Sequence, residues 1–177
     1  GGGDADQGLN TPPRSIGRLT QESPTPYESS EELPKLLIVQ CDFDGTITMS
    51  NLGTAIKELF GPDNWLELEA EYESGKLTAE QNTIRHFGLI DATQDDIEEF
   101  VKGEVVVRFS FDEFVAHCEG IGVRLAVVSG GIHTYVDPIL KMLVFQELEV
   151  HAAHAEFTPD GIQVSYTGPD GENLDAG

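Results

Sequence analysis

Basic residues are scarce in this chain: ten lysines and arginines stand against 32 aspartates and glutamates, a formal charge of −22 at pH 7. That shortage excludes the basic footprint of a nucleic-acid binder and argues against docking on anionic membranes. There are two cysteines, Cys41 and Cys118, too few for a disulfide framework in 177 residues. CxxC and HExxH patterns are missing. No apolar run approaches the roughly 18 residues of a membrane span, and the N-terminus lacks the apolar stretch of a secretory signal. These absences leave a soluble, cytoplasmic protein with one core, for which 39% hydrophobic residues suffice. The acidity fits an ordinary cytosolic protein and one from a salty cell equally well.

Residues 1–33 hold Pro12, Pro13, Pro24 and Pro26 among Ser, Thr, Gln and Glu, with almost no apolar periodicity. Such a segment buries too little surface to offset the entropy of ordering it, so a disordered acidic tail is expected there. It carries six acids and two arginines, which leaves −18 from Leu33 onward. The acidity therefore belongs to the body.

The body opens on Leu36-Leu37-Ile38-Val39-Gln40-Cys41, a short apolar run between Pro34 and Asp-Phe-Asp-Gly. It reads as a strand buried on both faces, as in a parallel sheet layered with helices. Val123-Arg124-Leu125-Ala126-Val127-Val128 is a second such run, closed by Ser129-Gly130-Gly131. Helical patterns fill the space between. Leu52, Ile56 and Leu59-Phe60 recur at helical spacing until Gly61-Pro62, and a second helix runs from Trp65 to about Tyr72. A third follows Thr78 with Gln81 completing a capping box, a fourth follows Thr93, and a fifth carries Phe111, Phe114, Val115 and Cys118 on one face. A helix is expected from Gly131 to about Phe145, kinked or begun at Pro138. The runs 147–157 and 162–166 flank Thr158-Pro159-Asp160-Gly161, a strong hairpin signal. The fold class expected is α/β, with a parallel sheet and a β-hairpin near the C-terminus.

Chemistry concentrates in two places. Asp42 and Asp44 sit two residues apart at the C-terminal end of the first strand, the edge at which open α/β sheets bind ligands. Both can serve one pocket only if the chain turns, and Gly45 supplies that freedom. Paired carboxylates need a cation or a shared proton, and oxygen ligands select a hard ion such as Mg²⁺. A helix cap plus a turn residue is the plainer reading of the pair. A calcium loop fails, because counting from Asp42 puts Ile47 where the loop needs glycine and Gly53 where it needs glutamate. The second place is Ser129-Gly130-Gly131, a hydroxyl followed by free N–H groups opening a helix, which suits phosphate or is simply a strand-to-helix turn. A cation with carboxylates on one side and anion donors on the other describes phosphoryl transfer.

DFDGTIT after LLIVQC, then a helical stretch and VRLAVVSGG, resembles the haloacid dehalogenase superfamily, in particular its phosphoserine phosphatase-like branch. The likeness covers roughly Leu36 to Tyr166. DGTIT, FVAHCEGIGVRLAVVSGG and the hairpin at Asp160-Gly161 look most like the MtnX-like phosphatases. The resemblance implies a Rossmann-like core over 34–48 and 101–177, with 49–100 as an inserted helical cap that closes over substrate. It implies Asp42 as nucleophile, forming an aspartyl-phosphate, and Asp44 as general acid/base. Mg²⁺ would be held by the Asp42 carboxylate and the Asp44 main-chain carbonyl, and the phosphoryl oxygens by Ser129 and the Gly130 N–H. Arg108 stands where related phosphatases carry a substrate-binding arginine, and a surface or ion-pair role is its alternative. The partner implied is a small phosphate ester. Residues 49–56 contain no acid to receive an ammonium, which favours a keto- or enol-pentose phosphate of the methionine-salvage type over phosphoserine.

Two parts of the family pattern are not found: a lysine beyond Lys141, and a strand ending in an acidic motif to complete the metal site. Asp170 and Asp175 lack that setting. The expectation is a chain truncated relative to a longer phosphatase and impaired on its own, with a non-catalytic phosphate- or partner-binding module as the alternative. The histidines form no metal set by spacing, and the acids at 95, 96, 98 and 99 read as a solvated helix face.

Overall fold

The structure, a computed structural model, describes residues 37–168 and 173–174. The expected tail at 1–33, and Asp170 and Asp175, lie outside the described residues. Strand β1 (Ile38–Cys41) is followed by a turn and four helices, α1 (Leu52–Phe60), α2 (Trp65–Glu73), α3 (Ala79–Phe87) and α4 (Gln94–Glu104). Then come α5 (Phe111–Gly120), β2 (Arg124–Ile132), α6 (His133–Met142), β3 (Glu149–Thr158), β4 (Gly161–Thr167) and β5 (Asn173–Leu174). The sheet order is β1-β2-β3-β4-β5. The first three strands are parallel, and β4 and β5 each run antiparallel to the strand before.

Local signals account for the helices. Asn51 caps α1 by accepting from the Thr54 N–H at 2.8 Å. Thr78 with Gln81, and Thr93 with Asp96, form reciprocal capping boxes that satisfy donors otherwise orphaned at the starts of α3 and α4. The apolar stripes then face inward. Ile56 of α1, Ile97 and Val101 of α4, and Val136, Ile139 and Leu140 of α6 are buried in one core with Val127 and Ile132 of β2. Burying side chains of this size stabilises the fold by about 1.5–3 kcal/mol each. The two ends of the segment carrying α1 to α4 are clasped: the Met49 N–H donates to Val106 O at 2.7 Å and the Arg108 N–H to Ile47 O at 2.8 Å.

Two expectations are corrected in detail. Strand β1 is not buried on both faces: Leu37 and Ile38 are 42% and 38% exposed and Gln40 is open to solvent. Among the described residues β1 pairs only with β2, so its outer edge is uncovered. Strand β2 does not close at Ser129. It continues through Ile132, which pairs with Ala153 of β3 after a register shift, and α6 begins at His133. The hairpin falls where expected, and a short strand, β5, follows it and pairs at Tyr166↔Leu174.

Candidate active site

The parallel register sets Cys41 beside Val127, so Asp42, just past the end of β1, lies level with the Val128-Ser129 segment of β2. Asp42 follows β1 in extended conformation, exposed, with its Oδ2 accepting from the Thr46 hydroxyl at 2.8 Å. The next five residues turn sharply. Phe43 and Ile47 are anchored in the core, Gly45 takes φ +75°, and the Thr48 N–H closes the loop on Phe43 O at 3.1 Å. The left-handed residue is the one the sequence supplied as glycine. The turn brings Asp44 back beneath the start of α1, where its Oδ1 accepts from the Leu52 N–H at 2.7 Å. Its Oδ2 accepts from the Tyr135 hydroxyl at 2.6 Å. Burial raises the Asp44 pKa above the ordinary carboxylate range, a rise that Tyr135 and the Leu52 N–H hold back and the neighbouring Asp42 charge adds to.

A cavity of about 280 Å³ opens over this turn. Asp42 and Asp44 line one side and Gly130 and Gly131 the adjacent strand end; Asn51, Gly53 and Lys57 come from α1, and Asn82, Thr83 and His86 from α3. Ser129 is not among the residues lining this cavity: it is buried, its Oγ accepting from the Gly131 N–H at 3.1 Å, and it lines a neighbouring cavity with His133 and Tyr166. Arg108 does not line the cavity. Its guanidinium holds the turn from outside, donating to Thr46 O at 2.6 Å and Gly45 O at 2.9 Å. His133 also lies apart, stacked on His154 at 4.7 Å and 3.0 Å from Asp137, beside a separate groove between α6 and β3.

The cavity's far wall is a polar cluster that sequence reasoning missed. The Lys57 ammonium is 2.6 Å from Glu69 Oε2, and the Asn82 amide nitrogen is 3.5 Å from both Glu69 oxygens. Glu69 Oε2 also lies 3.1 Å from His86 Nε2, out of line for a hydrogen bond. Burial pulls the Glu69 pKa up, but Lys57, with Asn82 and His86, carries it below the ordinary value. Burial, then Lys57, lowers that of His86, which stays neutral at pH 7. Asn82 Oδ1 and His86 Nδ1 are buried without a partner among the described residues. Tyr135 was missed too, because a tyrosine within the apolar stripe of α6 looks like plain core.

Oxygen donors suited to a hard cation are present at Asp42 and at the Asp44 main chain. Among the described residues no group of three or more His, Cys, Asp or Glu side chains could hold a metal. Two protein oxygens are few even for Mg²⁺, which commonly keeps several waters and takes further oxygens from a phosphate. No described helix is long and apolar enough to cross a membrane.

A parallel sheet with paired aspartates after its first strand, helices between that strand and the next, and a Ser-Gly-Gly near the end of the adjacent strand give the chain the likeness of a haloacid dehalogenase-type core. Solved structures agree on the fold. A HAD family hydrolase from Salmonella enterica serovar Typhi aligns with TM-score 0.58 at 16% identity, over 73% of this chain and 46% of that one. A phosphoserine phosphatase from T. onnurineus aligns with TM-score 0.56 at 19% identity, over 72% and 62%. In sequence the likeness is to MtnX-type phosphatases: the 2-hydroxy-3-keto-5-methylthiopentenyl-1-phosphate phosphatase of Brevibacillus brevis is 30% identical over 135 residues, 76% of this chain. The chain spans 61% of that relative's length. No family model matches.

Proposed function

We propose that this chain carries the catalytic half-site of a Mg²⁺-dependent phosphatase acting on a small phosphomonoester through an aspartyl-phosphate. The observation that carries the reading is the cavity itself, where Asp42 and Asp44 meet the Gly130-Gly131 backbone at the ends of adjacent parallel strands. An Asp42 carboxylate oxygen attacks phosphorus and the ester P–O bond breaks. Asp44, protonated, donates its proton to the leaving alkoxide, and burial of its carboxyl favours that form. Asp44, now ionised, takes a proton from water, whose oxygen attacks phosphorus and releases phosphate and the Asp42 carboxylate. Ser129 and the Gly130 N–H contact the phosphoryl oxygens. The Asp42 carboxylate and Asp44 carbonyl would hold Mg²⁺, which when bound offsets charge on the phosphoryl group. The helical insertion, 49–100, acts as the cap that keeps water from the aspartyl-phosphate. Arg108 acts by fixing the turn rather than by touching substrate.

The far wall favours a substrate whose organic part, away from the phosphate, is uncharged and bears hydroxyls. A carboxylate only accepts, so Glu69 orients the Asn82 amide nitrogen towards itself and leaves Oδ1 as a free acceptor. With the His86 proton on Nε2, beside Glu69, Nδ1 is a second acceptor. A hydroxyl satisfies such groups. An ammonium would sit beside Lys57, against an acid that Lys57 already neutralises. The hydroxy-keto phosphate in the relatives' name has the matching chemistry, and phosphoserine does not. The test is turnover of a panel of phosphate esters with Mg²⁺, including ribulose 1-phosphate and phosphoserine. A preference for phosphoserine overturns the substrate reading, and activity retained in Asp42→Asn overturns the mechanism.

A further inference from the structure

Tyr135 takes no part in the steps above, yet it is buried to 1% exposure against the acid/base and joins three parts of the chain. Its ring stacks on Phe87 of α3, with centroids 6.4 Å apart and planes at 21°, and tilts against Phe43 of the turn at 6.2 Å. Its hydroxyl donates to Asp44 Oδ2 at 2.6 Å. The slot that admits the phenol is made by missing side chains. A Cβ at Gly131 would lie 1.7 Å from the Tyr135 oxygen and 2.3 Å from Cζ, and one at Gly53 would lie 3.2 Å from the oxygen. The first two distances are impossible for real atoms, so Tyr135 in this position requires glycine at 131.

We propose that Tyr135 is the positioning residue for Asp44, and that Gly131 is glycine to let its phenol in. The proposal rests on the reading of Asp44 as general acid/base. The Leu52 N–H ties one carboxylate oxygen and Tyr135 ties the other, so the side chain is held in one orientation at the cavity wall. Each oxygen has two lone pairs, which leaves Oδ2 able to exchange a proton with substrate while it accepts from tyrosine. Burial and the Asp44 charge push the Tyr135 pKa well up, which keeps the phenol a donor. Without this bond the carboxylate can swing or take up water, and misplacement on the scale of an ångström is costly to proton transfer.

The test pairs kinetics on 4-nitrophenyl phosphate with a double-mutant cycle read by urea unfolding. Tyr135→Phe keeps the ring stack and removes only the hydroxyl. It is expected to lower kcat about tenfold or more while KM stays within about twofold. Tyr135→Phe and Asp44→Ala are expected to be non-additive by roughly fivefold or more in the folding equilibrium constant, as for a buried hydrogen bond to a charged group. Gly131→Ala should match the kcat loss of Tyr135→Phe, and add nothing to it in a Tyr135→Ala background. Additive unfolding energies overturn the proposal whatever the activity. Coupling with an unchanged kcat in Tyr135→Phe, where Asp42→Asn made separately abolishes turnover, overturns the positioning role and leaves the phosphatase reading standing. A wild-type protein without turnover overturns both.

Discussion

Lys57→Met tests the polar wall of the cavity through stability alone. The change removes the ammonium that sits 2.6 Å from Glu69 and leaves that carboxylate with the distant Asn82 amide and a neutral imidazole. Breaking a buried ion pair from one side costs about 3–5 kcal/mol when water is fully excluded. Here the Lys57 and Glu69 side chains are 12% and 24% exposed, which lets water reach Glu69 and reduces the expected loss to about 2 kcal/mol at pH 8. His86 makes the loss pH-dependent. In the wild type its lowered pKa means that the unfolded chain binds the proton first, so stability falls as pH drops below about 6.5. Removing Lys57 removes one cause of that lowering and keeps the attraction of Glu69, 3.1 Å from Nε2. The imidazole then charges more readily and replaces the lost cation. The gap between wild type and variant should therefore narrow as the pH falls from 8 to 5.5. Urea unfolding followed by the single tryptophan, Trp65, at pH 8 and pH 5.5 measures the loss and its narrowing. A loss below about 0.5 kcal/mol at pH 8, or one that does not narrow on acidification, refutes the reasoning about a buried, coupled cluster. Lys57→Met with Glu69→Leu should recover most of the loss, because the unpaired charge goes with its partner.

Arg108→Met should lower kcat about tenfold and leave KM nearly unchanged, since Arg108 fixes the turn carrying Asp42 and Asp44; a large rise in KM with kcat intact would instead mean direct substrate contact. Thr93→Ala should cost about 1 kcal/mol by removing the capping box of α4, with Thr93→Ser recovering most of it in the same unfolding assay. An unaltered unfolding midpoint in Thr93→Ala would mean that the cap contributes nothing to this helix.

What the sequence makes legible here is local. The apolar runs at 36–41 and 123–128 locate two parallel strands, Thr78 and Thr93 locate two helix starts, and Pro159-Asp160-Gly161 locates the hairpin. Each depends on neighbours within a few positions. The exposure of Ile38 was not legible, because the pattern of a strand does not say whether another strand flanks it. The continuation of β2 through Ser129-Gly130-Gly131 depends on Ile132 meeting Ala153, a pairing between distant segments. The same is true of the site's inner structure. Tyr135 reaches Asp44 across 91 positions, and Lys57, Glu69, Asn82 and His86 meet only when three helices fold together. Spacing gives His86 no metal-ligand role, and that its ring nitrogens have no hydrogen-bond partner among the described residues appears only in three dimensions.

The central claim is that Asp42 becomes covalently phosphorylated. Rapid acid quenching of the protein during reaction with a ³²P-labelled phosphate ester and Mg²⁺ tests it most directly, because a slow or partial catalyst still accumulates label. The account predicts protein-bound phosphate that is released by hydroxylamine, maps to the peptide containing Asp42-Phe43-Asp44, and is absent in Asp42→Asn. Phosphate release without any bound label, or label that persists in Asp42→Asn, would contradict it.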